Sequence, residues 1–251
     1  MRPWPLLVPL LACRFVAAPT PMAMSLAPSG EGSPARCLLV LLPGGGDPLG
    51  RYAEEGFVAA VRGSGLDVDV VATDAQIGYY ARGVVGERLE RDVVAPLLPG
   101  HEHVWLLGVS LGGYGAMHYA QQYPARVDGV VVLAPYVGGR KILKEVERAG
   151  GLARWTADPP APLTRDNYQR QLWGWLQRQT IGGEEGPVLL LGYGTEDRLA
   201  RGHAMLAAAL PGDRVFTRPG GHDWPVWRGL LAEVLRHPAL IESCAAKPSE
   251  D

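Results

Sequence analysis

Residues 104–120 read "VWLLGVSLGGYGAMHYA", and how this stretch is parsed decides the fold. Val104 to Val109 is an apolar run of strand length, the kind that is buried on both faces. From Leu111 the pattern changes to small and aromatic residues at helical spacing, and it stops before Pro124. Ser110 stands where the period changes, with Gly108 two residues before it and Gly112 two after. A strand that turns straight into a helix around one apical residue leaves no space for side chains at the flanking positions, which is the demand glycine meets. In a chain with 33 glycines a lone G-x-S-x-G arises easily, so the weight of this one comes from the strand before it and the helix after it.

Outward from that turn, from Arg36 onward, short β-branched and Leu-rich runs alternate with helical patterns. The strands predicted are 37–43, 66–73, 103–109, 127–134, 187–194 and 213–219, and the helices 53–64, 82–98, 112–123, 139–149, 199–210 and 224–236. Alternation of this kind specifies an α/β fold: three layers, with a mostly parallel sheet covered by helices on both faces. One folded domain is expected over 36–240, with 241–251 as a tail. Residues 150–186 break the rhythm, being longer than a simple connection. Their front half is Pro-rich and 167–180 reads as a helix, so the segment is expected to form a small cap or excursion over one edge of the sheet. Trp155, Trp173 and Trp175 lie there, and core packing is the expectation for them ahead of lining a pocket.

Composition narrows the function classes. A formal charge of −2 and a pI near 6.3 give no basic stripe for nucleic acid. Cys13, Cys37 and Cys244 are far apart and lack zinc spacing, and from the sequence no disulfide or metal site is implied. His101 and His103 form an H-x-H without an evident third ligand, and His118, His203 and His237 read as packed or solvated structure. Tyr79 and Tyr80 read as edge packing, with a place at a site mouth as the lesser reading.

The first 35 residues read as a tether outside the fold. "MRPWPLLVPLLACRF" has an early Arg2 and a short apolar stretch, and Leu10 to Cys13 resembles a bacterial lipoprotein cleavage box. The stretch is too short to span a bilayer. Two readings stay open. In one the chain is exported to the cell envelope, with Cys13 as a lipid anchor, a reading that the Pro/Ser/Gly-rich residues 14–35 favour. In the other, Met22 or Met24 is the first residue and the protein is cytoplasmic; Pro5, Pro9 and Arg14 count on that side.

With its elbow "GVSLGGYGA" at 108–116, the chain resembles the α/β-hydrolase family from Cys37 to about Pro238. The resemblance implies a serine nucleophile, then an acid, then a histidine along the chain. Ser110 fills the first place. Asp197, in "TEDRLA" after the strand "PVLLLGYG", fills the second, with Glu196 as the alternative, and His222 in "GGHDWP" fills the third. Asp223 reads as a helix-start residue. The chemistry has its own logic: a serine hydroxyl is a poor nucleophile at neutral pH and needs an imidazole to take its proton. The carboxylate fixes the imidazole tautomer and stabilises the imidazolium.

The family also implies an oxyanion hole, which the backbone N–H groups of Leu111 and of Gly45 in "LLPGGGDPLG" would form, with Gly44 and Gly46 as near alternatives to Gly45; Pro43 stands where many lipases carry histidine. Losing one such donor costs about 2.7–4 kcal/mol of barrier. Gly44 and Gly46 are expected to border the substrate, and Trp224 to wall one side of the pocket. A phosphate loop is disfavoured, since Gly44–Gly46 lacks a following G-K-[ST].

The expectation is a serine hydrolase acting on a carboxylic ester, or a thioester, of a small-molecule acyl substrate. No cofactor, metal, nucleic acid or transmembrane span is implied. A non-catalytic binding protein on the same fold, or an acyltransferase or peptidase using the same three residues, are the other readings.

Overall fold

The computed structural model describes residues 18–183 and 185–246. The expectations for Cys13 and the apolar stretch before it lie outside these residues. Seven strands form one sheet: β1 (Met24–Ala27), β2 (Cys37–Leu42), β3 (Val68–Thr73), β4 (His103–Val109), β5 (Gly129–Leu133), β6 (Val188–Gly194) and β7 (Val215–Arg218), in the order β1-β3-β2-β4-β5-β6-β7. All neighbours are parallel except β1, which runs antiparallel to β3.

The helices are α1 (Arg51–Glu54), α2 (Phe57–Gly63), α3 (Ile77–Ala81), α4 (Val85–Leu89), α5 (Leu111–Gln122), α6 (Arg140–Arg148), α7 (Tyr168–Thr180), α8 (Ala200–Ala207), α9 (Trp224–Val234) and α10 (Pro238–Cys244). Beyond α4 the chain continues through a wider turn at Glu90–Val94. The expected helix at 53–64 is split by Gly56, whose φ of 78° ends α1 and begins α2.

Each parallel strand carries two buried faces, which is why its sequence is apolar without alternation. On β2, Leu38, Val40 and Leu42 face one core, shared with Val85 and Leu89, with Ala116 and Met117 of α5, and with Leu172, Trp173 and Leu176 of α7. Cys37, Leu39 and Leu41 face the other, shared with Phe57 and Val61 of α2, with α9, and with Leu240 and Cys244 of α10. Helices therefore cover both sides, and the three-layer expectation holds. Trp155, Trp173 and Trp175 are buried in the first core. Trp173 donates its indole N–H to the Val137 carbonyl at 2.7 Å, and Trp155 to Glu145 at 2.9 Å.

Three expectations are corrected. The stretch before Arg36 is not wholly a tether. β1 pairs with β3 in the register Met24 to Thr73 and Ala27 to Val70, and the buried Met22 donates its N–H to Asp92 at 2.8 Å. The buried Asp69 carboxylate accepts from the N–H groups of Ser29, at 2.6 Å, and Ala35, at 3.1 Å. A four-residue edge strand exposed along its outer side has too little pattern to be read from sequence; its partner defines it.

Nor is the end of the chain wholly a tail, because α10 adds a helix over Pro238–Cys244. That helix carries the third correction: Cys37 at the start of β2 and Cys244 at the end of α10 form a disulfide, with Cα atoms 5.4 Å apart. Nothing in the spacing of residues so distant encodes the pairing. The link closes a loop spanning nearly the whole sheet, and removing such a loop constraint costs about 2–5 kcal/mol. Cys244→Ser is therefore expected to lower Tm by roughly 5–15 °C, read by thermal unfolding; an unchanged Tm would mean that the bond does not form.

Candidate active site

The chain passes from β2 out to β3 and returns across β2 to β4, so the sheet order reverses where β2 and β4 lie side by side. Crevices at such reversals, beyond the carboxyl ends of the strands, are where sheets of this kind hold ligands. Two of the sequence-predicted elements meet there: the glycine loop after β2 and the serine after β4.

Ser110 adopts φ 51° and ψ −114°, one of two non-glycine residues with positive φ among those described. Such a conformation is costly and persists only where its surroundings enforce it. Its N–H donates to the Leu133 carbonyl at 3.0 Å, and its carbonyl accepts from the N–H groups of Gly113 at 3.1 Å and Tyr136 at 2.8 Å. The glycines are a steric necessity. A Cβ at Gly108 would lie 2.2 Å from the Gly112 carbonyl oxygen, and one at Gly112 would lie 2.1 Å from that of Leu42. The second closeness is what brings the end of β2, and the glycine loop that follows, against the first turn of α5.

That loop is held from both sides. Tyr52, buried, donates its hydroxyl to the Leu42 carbonyl at 2.6 Å and accepts from the Val109 N–H at 3.2 Å, bridging the ends of β2 and β4. Burial pushes the Tyr52 phenol well up, so it stays protonated. The Gln76 amide donates to the Asp47 carbonyl at 2.7 Å and to the Asp74 carboxylate at 2.8 Å. Gly45 is exposed and Gly46 has φ 92°. A Cβ on Gly45 would stand 3.5 Å from the Leu111 side chain, so these two residues are neighbours. Gly44 is buried under the turn, its carbonyl accepting from the Asp47 N–H at 3.2 Å. Leu111 begins a helix, and the first N–H groups of a helix have no partner within it.

Asp197 and His222 arrive from neighbouring loops after β6 and β7. The N–H of Glu196 donates to the Gly220 carbonyl at 3.0 Å and that of Thr195 to Arg218 at 2.9 Å, so the two loops run side by side. The Asp197 Oδ2 lies 2.7 Å from His222 Nδ1, and His222 Nε2 lies 3.0 Å from Ser110 Oγ. A carboxylate only accepts, so it fixes the imidazole proton on Nδ1 and leaves the Nε2 lone pair facing the serine hydroxyl. The other Asp197 oxygen accepts the Leu199 N–H at 2.7 Å. Asp197 is 5% exposed. Burial pushes its carboxyl up, but the hydrogen bonds from His222 and Leu199 outweigh burial and hold it below the ordinary carboxylate range.

Glu196 points to solvent, and Asp223 caps α9 by accepting the Val226 N–H at 3.1 Å. His222 packs edge-on against the buried Trp227, ring centres 5.0 Å apart, which fixes the imidazole plane. Trp224 lies elsewhere than expected. Its ring packs on Tyr52, Phe57 and Trp227 at 5.0–5.5 Å, and it is not among the residues that line the cavity beside Ser110.

Four other histidines have partners away from Ser110. His101 contacts Asp69 at 3.0 Å and His103 contacts Asp128 at 2.9 Å. His203 contacts the Pro135 carbonyl at 2.9 Å, and His237 caps α10. Tyr79 is buried with its hydroxyl donating to the Pro19 carbonyl at 2.7 Å.

Sequence reasoning passed over Tyr52, Gln76 and Trp227, each isolated in an ordinary helix or loop. It also passed over a cavity of about 700 Å3 between α3, α5 and the excursion, lined in part by Leu111, Tyr114, His118, Tyr136 and Tyr168, and by Tyr80. The hints were Tyr114, a large side chain among the small residues that open α5, and Tyr80, whose lesser reading is a place at a site mouth. Among the described residues no helix is long and apolar enough to cross a membrane.

Comparison with known proteins bears on the fold. The family model described as serine aminopeptidase, S33 matches residues 93–179, which include Ser110 and stop short of Asp197 and His222. No curated protein matches the sequence. Among solved structures, an S-formylglutathione hydrolase from Staphylococcus aureus is 14% identical with a TM-score of 0.56, over 87% of this chain and 98% of that one. A hydrolase from Pseudomonas aeruginosa is 17% identical with a TM-score of 0.55, over 85% and 92%. A ferulic acid esterase is 17% identical with a TM-score of 0.51, over 82% and 84%. With its parallel sheet, its strand–serine–helix turn and these likenesses, the chain has the α/β-hydrolase fold.

Proposed function

We propose that the protein is a serine hydrolase that cleaves a carboxylic ester, or a thioester, through an acyl-enzyme on Ser110. The observation that carries this reading is the hydrogen-bonded series from Asp197 through His222 to Ser110, with contacts of 2.7 and 3.0 Å. In the first half-reaction Ser110 Oγ attacks the acyl carbon while its proton passes to His222 Nε2. The bond from that carbon to the leaving oxygen or sulfur breaks, and the leaving group takes the proton from His222. In the second, His222 takes a proton from water as the water oxygen attacks the acyl carbon, and returns it to Ser110 as the acid departs. Asp197 stays ionised, holding the tautomer and balancing the imidazolium.

The N–H groups of Leu111 and Gly45 are the proposed donors to the oxyanion, Gly44 and Gly46 border it, and no step calls for a cofactor. The adjacency of Gly45 to Leu111 supports that assignment. Neighbours named as an S-formylglutathione hydrolase and a ferulic acid esterase agree with acyl chemistry of this type. A binding module would have no use for an intact relay, which favours catalysis over recognition alone. The buried Cys37–Cys244 bond supports a disulfide-permissive compartment, in keeping with the envelope reading of the first residues.

The test is turnover of p-nitrophenyl esters of increasing acyl length. Expected are release of p-nitrophenolate with an initial burst, since acyl-enzyme accumulates, and a preference for short acyl groups. Release at the uncatalysed rate for every ester and thioester tried would overturn the reading.

A further inference from the structure

The cavity beside Ser110 has a composition that the relay does not explain. Its volume, about 700 Å3, is within the range of small-molecule sites. Leu111, the residue that follows the serine, is among its lining residues. Residues of α3 and the turn after it line it together with Leu163, Thr164, Arg165 and Tyr168 of the excursion, so the site lies between the sheet domain and its small cap. The walls are aromatic: the Tyr114 ring lies 6.0, 6.3 and 5.5 Å from those of Tyr80, Tyr136 and Tyr168.

The charges are one-sided. Arg82 and Arg165 both line the cavity and are both exposed, and no Asp or Glu is among its lining residues. Neither arginine pairs with a carboxylate among the described residues, whereas Arg170 of the same excursion is clamped by Glu145 and Asp158. The titratable groups facing the same space add no charge at neutral pH. Burial pushes His118 down to about 4, and it holds the Tyr80, Tyr114 and Tyr136 phenols above their ordinary range. Two guanidinium groups over low-polarity walls, with no anion of the protein's own to satisfy them, form a receptor for an anion from outside.

We propose that the cavity selects esters carrying a second, anionic group such as a carboxylate at the end remote from the scissile bond, with Arg82 and Arg165 holding that group and the tyrosines packing the body between. This substrate class rests on the hydrolase reading above. It assigns the excursion a task, since Arg165 and Tyr168 come from it and Arg82 from the sheet domain.

Two matched ester pairs test it. In the first the charge is on the acyl side: p-nitrophenyl hemiglutarate against p-nitrophenyl pentanoate. In the second it is on the alcohol side: para-acetoxybenzoate against para-acetoxybenzamide. The expected result is a kcat/KM roughly tenfold higher for the anionic member of at least one pair, declining as salt is added. In the double variant Arg82→Ala/Arg165→Ala the ratio should fall to about one, while Arg228→Ala, on α9 and paired with Glu55, should keep it. Neutral esters turned over as well as anionic ones in both pairs, or a preference that survives the double variant, would overturn the substrate class and leave the hydrolase reading standing. No turnover of all four, with Ser110 unreactive to a fluorophosphonate, would instead remove the hydrolase reading and this inference with it.

Discussion

Ser110→Ala is expected to lower kcat for ester hydrolysis by roughly 10⁴- to 10⁶-fold, with the fold intact. The residual rate would come from substrate held against the proposed oxyanion donors, which alanine leaves in place. Stability should change little, because alanine inherits the same backbone strain at φ 51° and the turn is enforced by backbone hydrogen bonds and by the approaches at Gly108 and Gly112. The check is kcat on a p-nitrophenyl ester beside Tm for the same preparation. Activity within tenfold of wild type in a folded variant would mean that another nucleophile does the work.

Asp197→Asn should be nearly as damaging, with a loss on the order of 10⁴-fold. An asparagine amide directed at His222 donates to Nδ1, which drives the imidazole proton to Nε2 and leaves no lone pair facing Ser110. The neighbouring Glu196→Gln should retain most activity, because that side chain is exposed and only its backbone N–H is engaged, with Gly220. A dead Glu196→Gln beside an active Asp197→Asn would reverse the assignment of the acid. The lowered folded pKa of Asp197 also fixes the sign of a stability effect. Its contribution is complete above the ordinary carboxylate value and is lost as pH falls through the lowered one. In urea titrations across that acid range, Asp197→Asn should therefore lose part of the wild-type slope of stability against pH.

Legibility in the sequence followed burial. β2 and β4 to β6 could be read because both their faces are covered, so their apolar runs admit no other assignment. The turn at Ser110 could be read because steric crowding admits only glycine on each side. Asp197 and His222 could be placed at strand ends, although the contact between them is a property of two loops brought side by side by Glu196 and Thr195.

What escaped was set by distant partners. β1 exists because β3 offers an open edge, and four residues, three of them exposed, carry no periodic signal of that. The Cys37–Cys244 bond joins the start of β2 to a helix at the far end of the chain. Trp224, next in sequence but one to His222, looked like a pocket wall, yet the start of α9 turns its ring onto Tyr52 and Phe57. The tyrosine-lined cavity draws on α3, α5 and the excursion together, and none of the three announces it alone.

The proposed catalysis turns on Ser110 being made nucleophilic by His222. Treating the protein with a fluorophosphonate probe and locating the adduct by peptide mass measures that most directly. The predicted result is a single adduct on the peptide carrying Ser110, absent from Ser110→Ala and strongly slowed in His222→Ala. An adduct on another residue, or labelling of Ser110→Ala at the wild-type rate, would contradict it.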